Sequence, residues 1–229
     1  MAKFEAIILN LKKEPFLKDF IFRKRDASFI NKFEGGCYRI ELEHWTECGD
    51  LYIRPLFAVR FDFAHKWFEK FSFKDISVQR DNYVIGYQGE MLGYKDVYTF
   101  NDDSNSLIQE YIELLEMLKK CSSYVFKEYA TPRDVYNNKI LPLIDGKIKM
   151  PEGGIDWFFE YLTICKVIAP ENYDKLKGLL LKHADWRMTH YRIPEPNMAI
   201  YYDHLDEIFG FLESLSVDDL LKRERYKKR

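Results

Sequence analysis

The chain has 229 residues, with 35 Lys and Arg against 37 Asp and Glu, so its net charge is near zero at −2. An apolar fraction of 47% supplies enough surface to offset the entropy of folding, which excludes a disordered chain. No stretch of 18 apolar residues occurs, so no membrane partner is expected. The basic-poor start, broken by Glu5, Lys12, Lys13 and Glu14, does not read as a secretory signal, and the expected location is the cytoplasm.

From the N-terminus, Phe4, Ile7, Ile8 and Leu11 share one helical face. Pro15 suits the first turn of a second helix, and Phe16 and Phe20 extend the stripe to about residue 22. The period then changes to two. Phe29 to Phe33, a turn at Gly35-Gly36, and the alternation Tyr38, Ile40, Leu42, His44 predict a hairpin. Leu51 to Phe61 alternates likewise after a turn at Glu47 to Asp50. Pro55 within that run predicts an edge strand or a bulge. The opposite, wet face carries Arg39, Glu41, Glu43, Tyr52, Arg54 and Arg60, with His44 on the apolar side.

Asp62 can cap a short helix stacking Phe63, Trp67 and Phe71, with His65 on its wet face. Ile76 and Val78, a turn at Asp81-Asn82, and Tyr83 to Tyr87 read as two more strands. The glycines and polar run of 88–105 read as a linker. Beyond it the pattern is helical. Leu107, Tyr111, Leu114, Leu118, Cys121 and Val125 recur at steps of three and four behind a Ser106/Gln109 capping signature. Thr131-Pro132 opens a short helix that Pro142 limits. The next, Ile155 to Ile168, is apolar nearly all round apart from a stripe of Asp156, Glu160 and Thr163, and is expected to be the most buried. Pro170 opens another that runs to about His183, and Asn197 to Leu215 follows. Ser216 and Asp219 signal a last cap. The expected fold class is α+β: an antiparallel sheet with flanking helices over 1–100, then a helical part over 101–229 packed with it as one body.

Chemistry-bearing motifs are sparse. The five histidines fall in no HExxH or Cys/His cluster, and no GxGxxG, P-loop or GxSxG is present, so no catalytic residue, cofactor or metal site is assigned. Cys37, Cys48, Cys121 and Cys165 show no CxxC spacing and are expected to be reduced. The segment Trp186, Arg187, His190, Tyr191 and Arg192 reads as a loop between two helices, rich in the residue types that dominate protein interfaces. With Arg39, Tyr52, Arg54 and Arg60 it forms the candidate partner-binding set. An enzyme with a site around His183, His190 and His204 is the alternative. Weak nucleic-acid binding is a third reading, through the tail from Lys222 to Arg229 with six basic and one acidic side chain.

Pro15-Phe16-Leu17-Lys18, Phe22-Arg23-Lys24, Phe29 and the strand Tyr38 to His44 together resemble an uncharacterised family of small bacterial α+β domains. The likeness spans about residues 4 to 65. Ile21 stands before Phe22 where that family tends to place a glycine. Some such domains are thought to be immunity proteins of bacterial toxin systems, and the family brings no catalytic residues. The resemblance implies a bacterial cytoplasmic chain with a binding role; with the 17% aromatic content and the lack of catalytic signatures, the expected function is a non-enzymatic protein whose partner is another protein.

Overall fold

The computed structural model describes residues 2–71, 82–101, 103–150, 156–190 and 201–222. The chain divides into two compact units. One comprises Met1–Arg60 and Ile85–Glu128; the other comprises Phe61–Val84 and Tyr129–Arg229. The fold class is α+β, an antiparallel sheet early in the chain followed by helices.

The first unit is built on a six-stranded sheet. Helix α1 (Ala2–Leu11) precedes strands β1 (Ile21–Arg23), β2 (Ser28–Phe33), β3 (Gly36–Glu47) and β4 (Asp50–Phe61). After the interruption come β5 (Ile85–Gln88) and β6 (Tyr98–Phe100). The order is β1-β2-β3-β4-β5, with β6 also paired to β4. The predicted hairpin is present in the expected register, Phe33 opposite Gly36 and Phe29 opposite Ile40. Cys48 and Gly49 both adopt positive φ, 52° and 90°, which matches the tight turn between β3 and β4 to the twist of the strands. Period-two burial places Ile40, Leu42, Leu51, Ile53, Phe57 and Val59 in the core. Helix α3 (Ser104–Glu128) adds Leu114, Met117, Leu118, Cys121 and Val125, and Phe126 stacks on Tyr38 at 4.6 Å.

Several expectations are corrected. The second N-terminal helix is only the 3-10 turn Pro15–Leu17, and Ile21–Arg23 is a strand, because pairing with Ser28–Ile30 outweighs the helical spacing of Phe16 and Phe20. β4 is interior rather than an edge. Pro55 is tolerated where β6 ends opposite Ile53 and β5 begins opposite Leu56, so the ladder on that side is already interrupted. The stretch 88–105 is more than a linker, since it contains β6 and the 3-10 turn Gly89–Leu92. Helix α3 starts two residues before Ser106. Asp103, whose Oδ1 accepts from the Asn105 N–H at 3.2 Å, takes the capping role given to Ser106. The expected strand around Ile76 and Val78 lies outside the described residues.

In the second unit, helix α2 (Asp62–Lys66) is followed, from Tyr129, by α4 (Pro132–Val135), a π-helical turn (Tyr136–Ile140) and α5 (Leu141–Ile144). Then come α6 (Asp156–Ile168), α7 (Tyr173–His190), α8 (Leu205–Ser214) and α9 (Val217–Leu221). Reciprocal capping boxes start α4 (Thr131 with Asp134) and α9 (Ser216 with Asp219), the latter as expected. Pro142 does not stop the first of these segments. Having no N–H to give the carbonyl four residues back, it widens the turn before it, where the Leu141 N–H reaches the Tyr136 oxygen. α6 is buried as expected: Phe158, Phe159, Leu162, Ile164 and Cys165 lie in the core. α7 runs seven residues beyond the expected His183, so Trp186, Arg187 and His190 sit on a helix instead of a loop. No described helix is long and apolar enough to cross a membrane.

Candidate functional site

Spacings of three and four along α7 put His183, Trp186 and His190 on one helical face. Their rings form a ladder. His183 stacks on Trp186 at 5.9 Å and 17°, and Trp186 stacks on His190 at 4.9 Å and 23°. Trp186 is nevertheless 47% exposed. The inner end of the ladder is anchored. His183 lies against Phe158 at 5.9 Å and Trp157 at 6.4 Å on α6, and its Nε2 is shielded without a hydrogen-bond partner. The outer end is fixed by a bond from His190 Nδ1 to the Trp186 carbonyl at 2.9 Å. A carbonyl only accepts, so Nδ1 carries the proton. Burial, and then the charge of Arg187, hold the His183 pKa below the usual imidazole range. Arg187 itself is 8% exposed, so it supports this face from within rather than presenting a cation. Tyr191 and Arg192 lie outside the described residues, as does the tail beyond Lys222.

The wet face of the sheet holds a second cluster. Trp45 and Tyr52 stack at 5.4 Å and 8°, and the Arg54 guanidinium lies 5.6 Å from the Trp45 ring centre. Arg54 also pairs with Asp96 at 3.0 Å and Glu43 at 3.5 Å. Tyr52 and Arg54 thus come together as candidates. Trp45 and Asp96 were not among them, although Trp45 continues the alternation of Arg39, Glu41 and Glu43. Arg60 sits six residues past Arg54 on β4, about 20 Å away along the strand, and is half-buried.

Arg39 departs from its expected place on the wet face. The 3-10 turn Lys24–Asp26 covers that end of the sheet, leaving the Arg39 side chain 8% exposed and paired with Asp26 at 2.7 Å and Glu41 at 2.8 Å. Burial alone would raise the Asp26 pKa. The hydrogen bond from Arg23 and the charge of Arg39 overcome that and hold it below the usual carboxylate value.

Two histidines are also placed differently from their expected positions. His44 is exposed and stacks on Phe4 at 3.8 Å, because the end of β3 extends beyond the core. His65 is fully buried, and its Nδ1 donates to Glu160 Oε1 at 3.1 Å, with the Glu160 side chain only 2% exposed. Beside it, the Trp67 indole N–H donates to Thr163 Oγ1 at 2.7 Å, and that hydroxyl donates to the Phe159 carbonyl at 2.6 Å. Glu160 and Thr163 of α6 are therefore met by His65 and Trp67, and the His65–Glu160 pair is closed off from solvent. It is a cross-tie inside the unit.

His204 does not join the ladder through any metal-holding group. Among the described residues, no set of three His, Cys, Asp or Glu side chains could bind an ion. His204 instead lies 3.7 Å from Glu207. Burial pushes the thiols of Cys121 and Cys165 up to about 11 and about 12, which favours their protonated forms at neutral pH. No family model, no curated protein and no solved structure matches the chain.

Proposed function

We propose that the protein is a non-enzymatic binding protein whose partner, another protein, seats on the His183–Trp186–His190 face of α7. One observation carries this reading: Trp186 is clamped between two imidazoles yet nearly half of it faces water. A large ring already held in one orientation loses little entropy on docking, and tryptophan is a residue on which binding energy concentrates. The resemblance of residues 4 to 65 to an uncharacterised family of small bacterial α+β domains, some of them thought to be toxin-system immunity proteins, favours a toxin as that partner and a bacterial cytoplasm as its setting. Affinity capture from the native host, run in parallel with the intact chain and with Trp186→Ala, tests the reading. A stoichiometric protein retained by the former and lost with the latter is expected. Equal recovery with both, or no stoichiometric protein with either, overturns it.

A further inference from the structure

Positive charge gathers on the same side of α7 as the ring ladder. At about 100° per residue, Lys175, Leu179, Lys182, His183 and His190 all lie within about 60° of Trp186 around the helix axis. Lys175 and Lys182 are exposed, and among the described residues neither is in an ion pair. Lys175 acts on Asp145 at longer range, but that carboxylate already pairs with Lys147 at 2.8 Å. The two acids of the helix, Asp174 and Asp185, are turned about 100–120° from Trp186, and Asp185 accepts from the Tyr202 hydroxyl. Off the helix, the exposed Glu171 and Asp203 form no ion pair with either lysine, and the α6 rings against the ladder, Trp157 and Phe158, carry no charge. An aromatic anchor and two fixed cations thus share one side of the helix over roughly 20 Å.

Such a side fits an anionic partner. Nucleic acid is anionic, yet its bases bind by stacking on an open aromatic face. The Trp186 ring has His183 stacked on one face and His190 on the other, so what it offers is an edge. An edge seats in an apolar slot between protein side chains, where tryptophan anchors concentrate binding energy. Carboxylates at the rim of that slot would meet Lys182, one turn before Trp186, and Lys175, two turns earlier still, which supplies the charge complementarity that steers and selects a partner.

We propose that the partner's contact surface is acidic, an apolar slot for the Trp186 edge rimmed by aspartate or glutamate that pair with Lys182 and Lys175. This rests on the reading of α7 as a protein-docking face and adds the chemistry of what docks there. The probe is a short fluorescent peptide alternating glutamate and leucine, titrated with the full chain and followed by anisotropy. Its lysine–leucine counterpart and single-stranded oligo-dT run alongside. The acidic peptide is expected to bind saturably and more weakly as salt rises, while the lysine peptide does not bind. Lys182→Glu is expected to loosen the acidic peptide at least about tenfold, and Trp186→Ala to loosen it as well. Both positions are exposed, and thermal melts of the variants confirm folding. No binding of the acidic peptide overturns the proposal. So does binding indifferent to Lys182→Glu but lost on deleting the basic tail 223–229, or oligo-dT bound more tightly than the peptide through Trp186. The same variant separates this proposal from the reading beneath it. A host protein retained in a Trp186-dependent way but indifferent to Lys182→Glu and to salt overturns the acidic surface and leaves the α7 docking face standing. Absence of any Trp186-dependent host protein removes both.

Discussion

The two units keep their internal charges in contrasting ways. In the first, Arg39, Asp26 and Glu41 gather beneath a 3-10 turn at one end of a sheet face, where water still reaches the rim: the Glu41 side chain is 29% exposed. In the second, His65 and Glu160 meet between two helices with essentially no exposure. The contrast teaches that a sheet can retire a charge to its margin, because one face is wet. A helix packed on all sides must answer each polar group with another polar group from across the core.

The largest effect follows from the sealed pair. Glu160→Leu leaves the His65 Nδ1 donor without its partner and is expected to lower the stability of the second unit by up to about 3 kcal/mol, read by urea denaturation. Adding His65→Leu should recover much of that loss. A single-variant cost below about 1 kcal/mol would erase the contrast.

Next in size is a change that touches no charge. At Gly36, an added Cβ would fall 2.1 Å from the Arg60 carbonyl oxygen and 2.7 Å from the Phe33 ring. Gly36→Ala is therefore expected to destabilise the first unit by roughly 1–3 kcal/mol, measured by the same titration.

Acid sharpens the comparison further, since each unit has its own window. The folded pKa of Asp26 lies below its ordinary 3.8, so its stabilisation is complete above that value and is lost as pH falls beneath it. Asp26→Asn should remove that late loss in a pH series of thermal melts. The folded pKa of His183 lies below its ordinary 6.5. The folded state therefore binds fewer protons than the unfolded one, and stability falls as pH drops below 6.5. His183→Gln should flatten that earlier decline and leave the later one intact.

The smallest effect belongs to the proposed docking residue. Trp186→Ala should shift stability by only about 0.5–1 kcal/mol, since nearly half of Trp186 already faces water and its stacking partners lie on its own helix. A far larger loss would mark Trp186 as a structural residue and weaken the assignment of the α7 face.

Much of the fold was legible in the residues because strands with one wet face alternate. Ile40, Leu42, Leu51, Ile53, Phe57 and Val59 announce β3 and β4, and Ser216 with Asp219 announces α9. β6 escaped notice because three residues, Tyr98–Phe100, are too few to display a period. The burial of His65 escaped for a different reason. A polar residue on a short helix looks the same whether water or a glutamate 95 positions away is its partner. The site was half legible. Trp186 and His190 stood out by residue type, yet their stacking depends on α7 continuing past His183, and α7 has a nearly featureless hydrophobic pattern with no stop signal before Pro194. Arg39 was misplaced because the turn that covers it comes from Lys24–Asp26, a segment with no apolar signal of its own.

The widened turn ahead of Pro142 carries a consequence for how this chain can change over time. One surplus residue is stored there. It sets the angular phase between the capped start at Thr131 and the buried Leu143 and Ile144. Restoring an amide hydrogen with Pro142→Ala would let the turn tighten, and taking up one residue would rotate one side against the other by roughly 100°. Tyr136, whose hydroxyl accepts from the Asn172 amide at 2.7 Å, would be turned away from its partner. A one-residue deletion between 136 and 140 and the loss of this proline are therefore coupled events, each harmful by itself and each repairing the other.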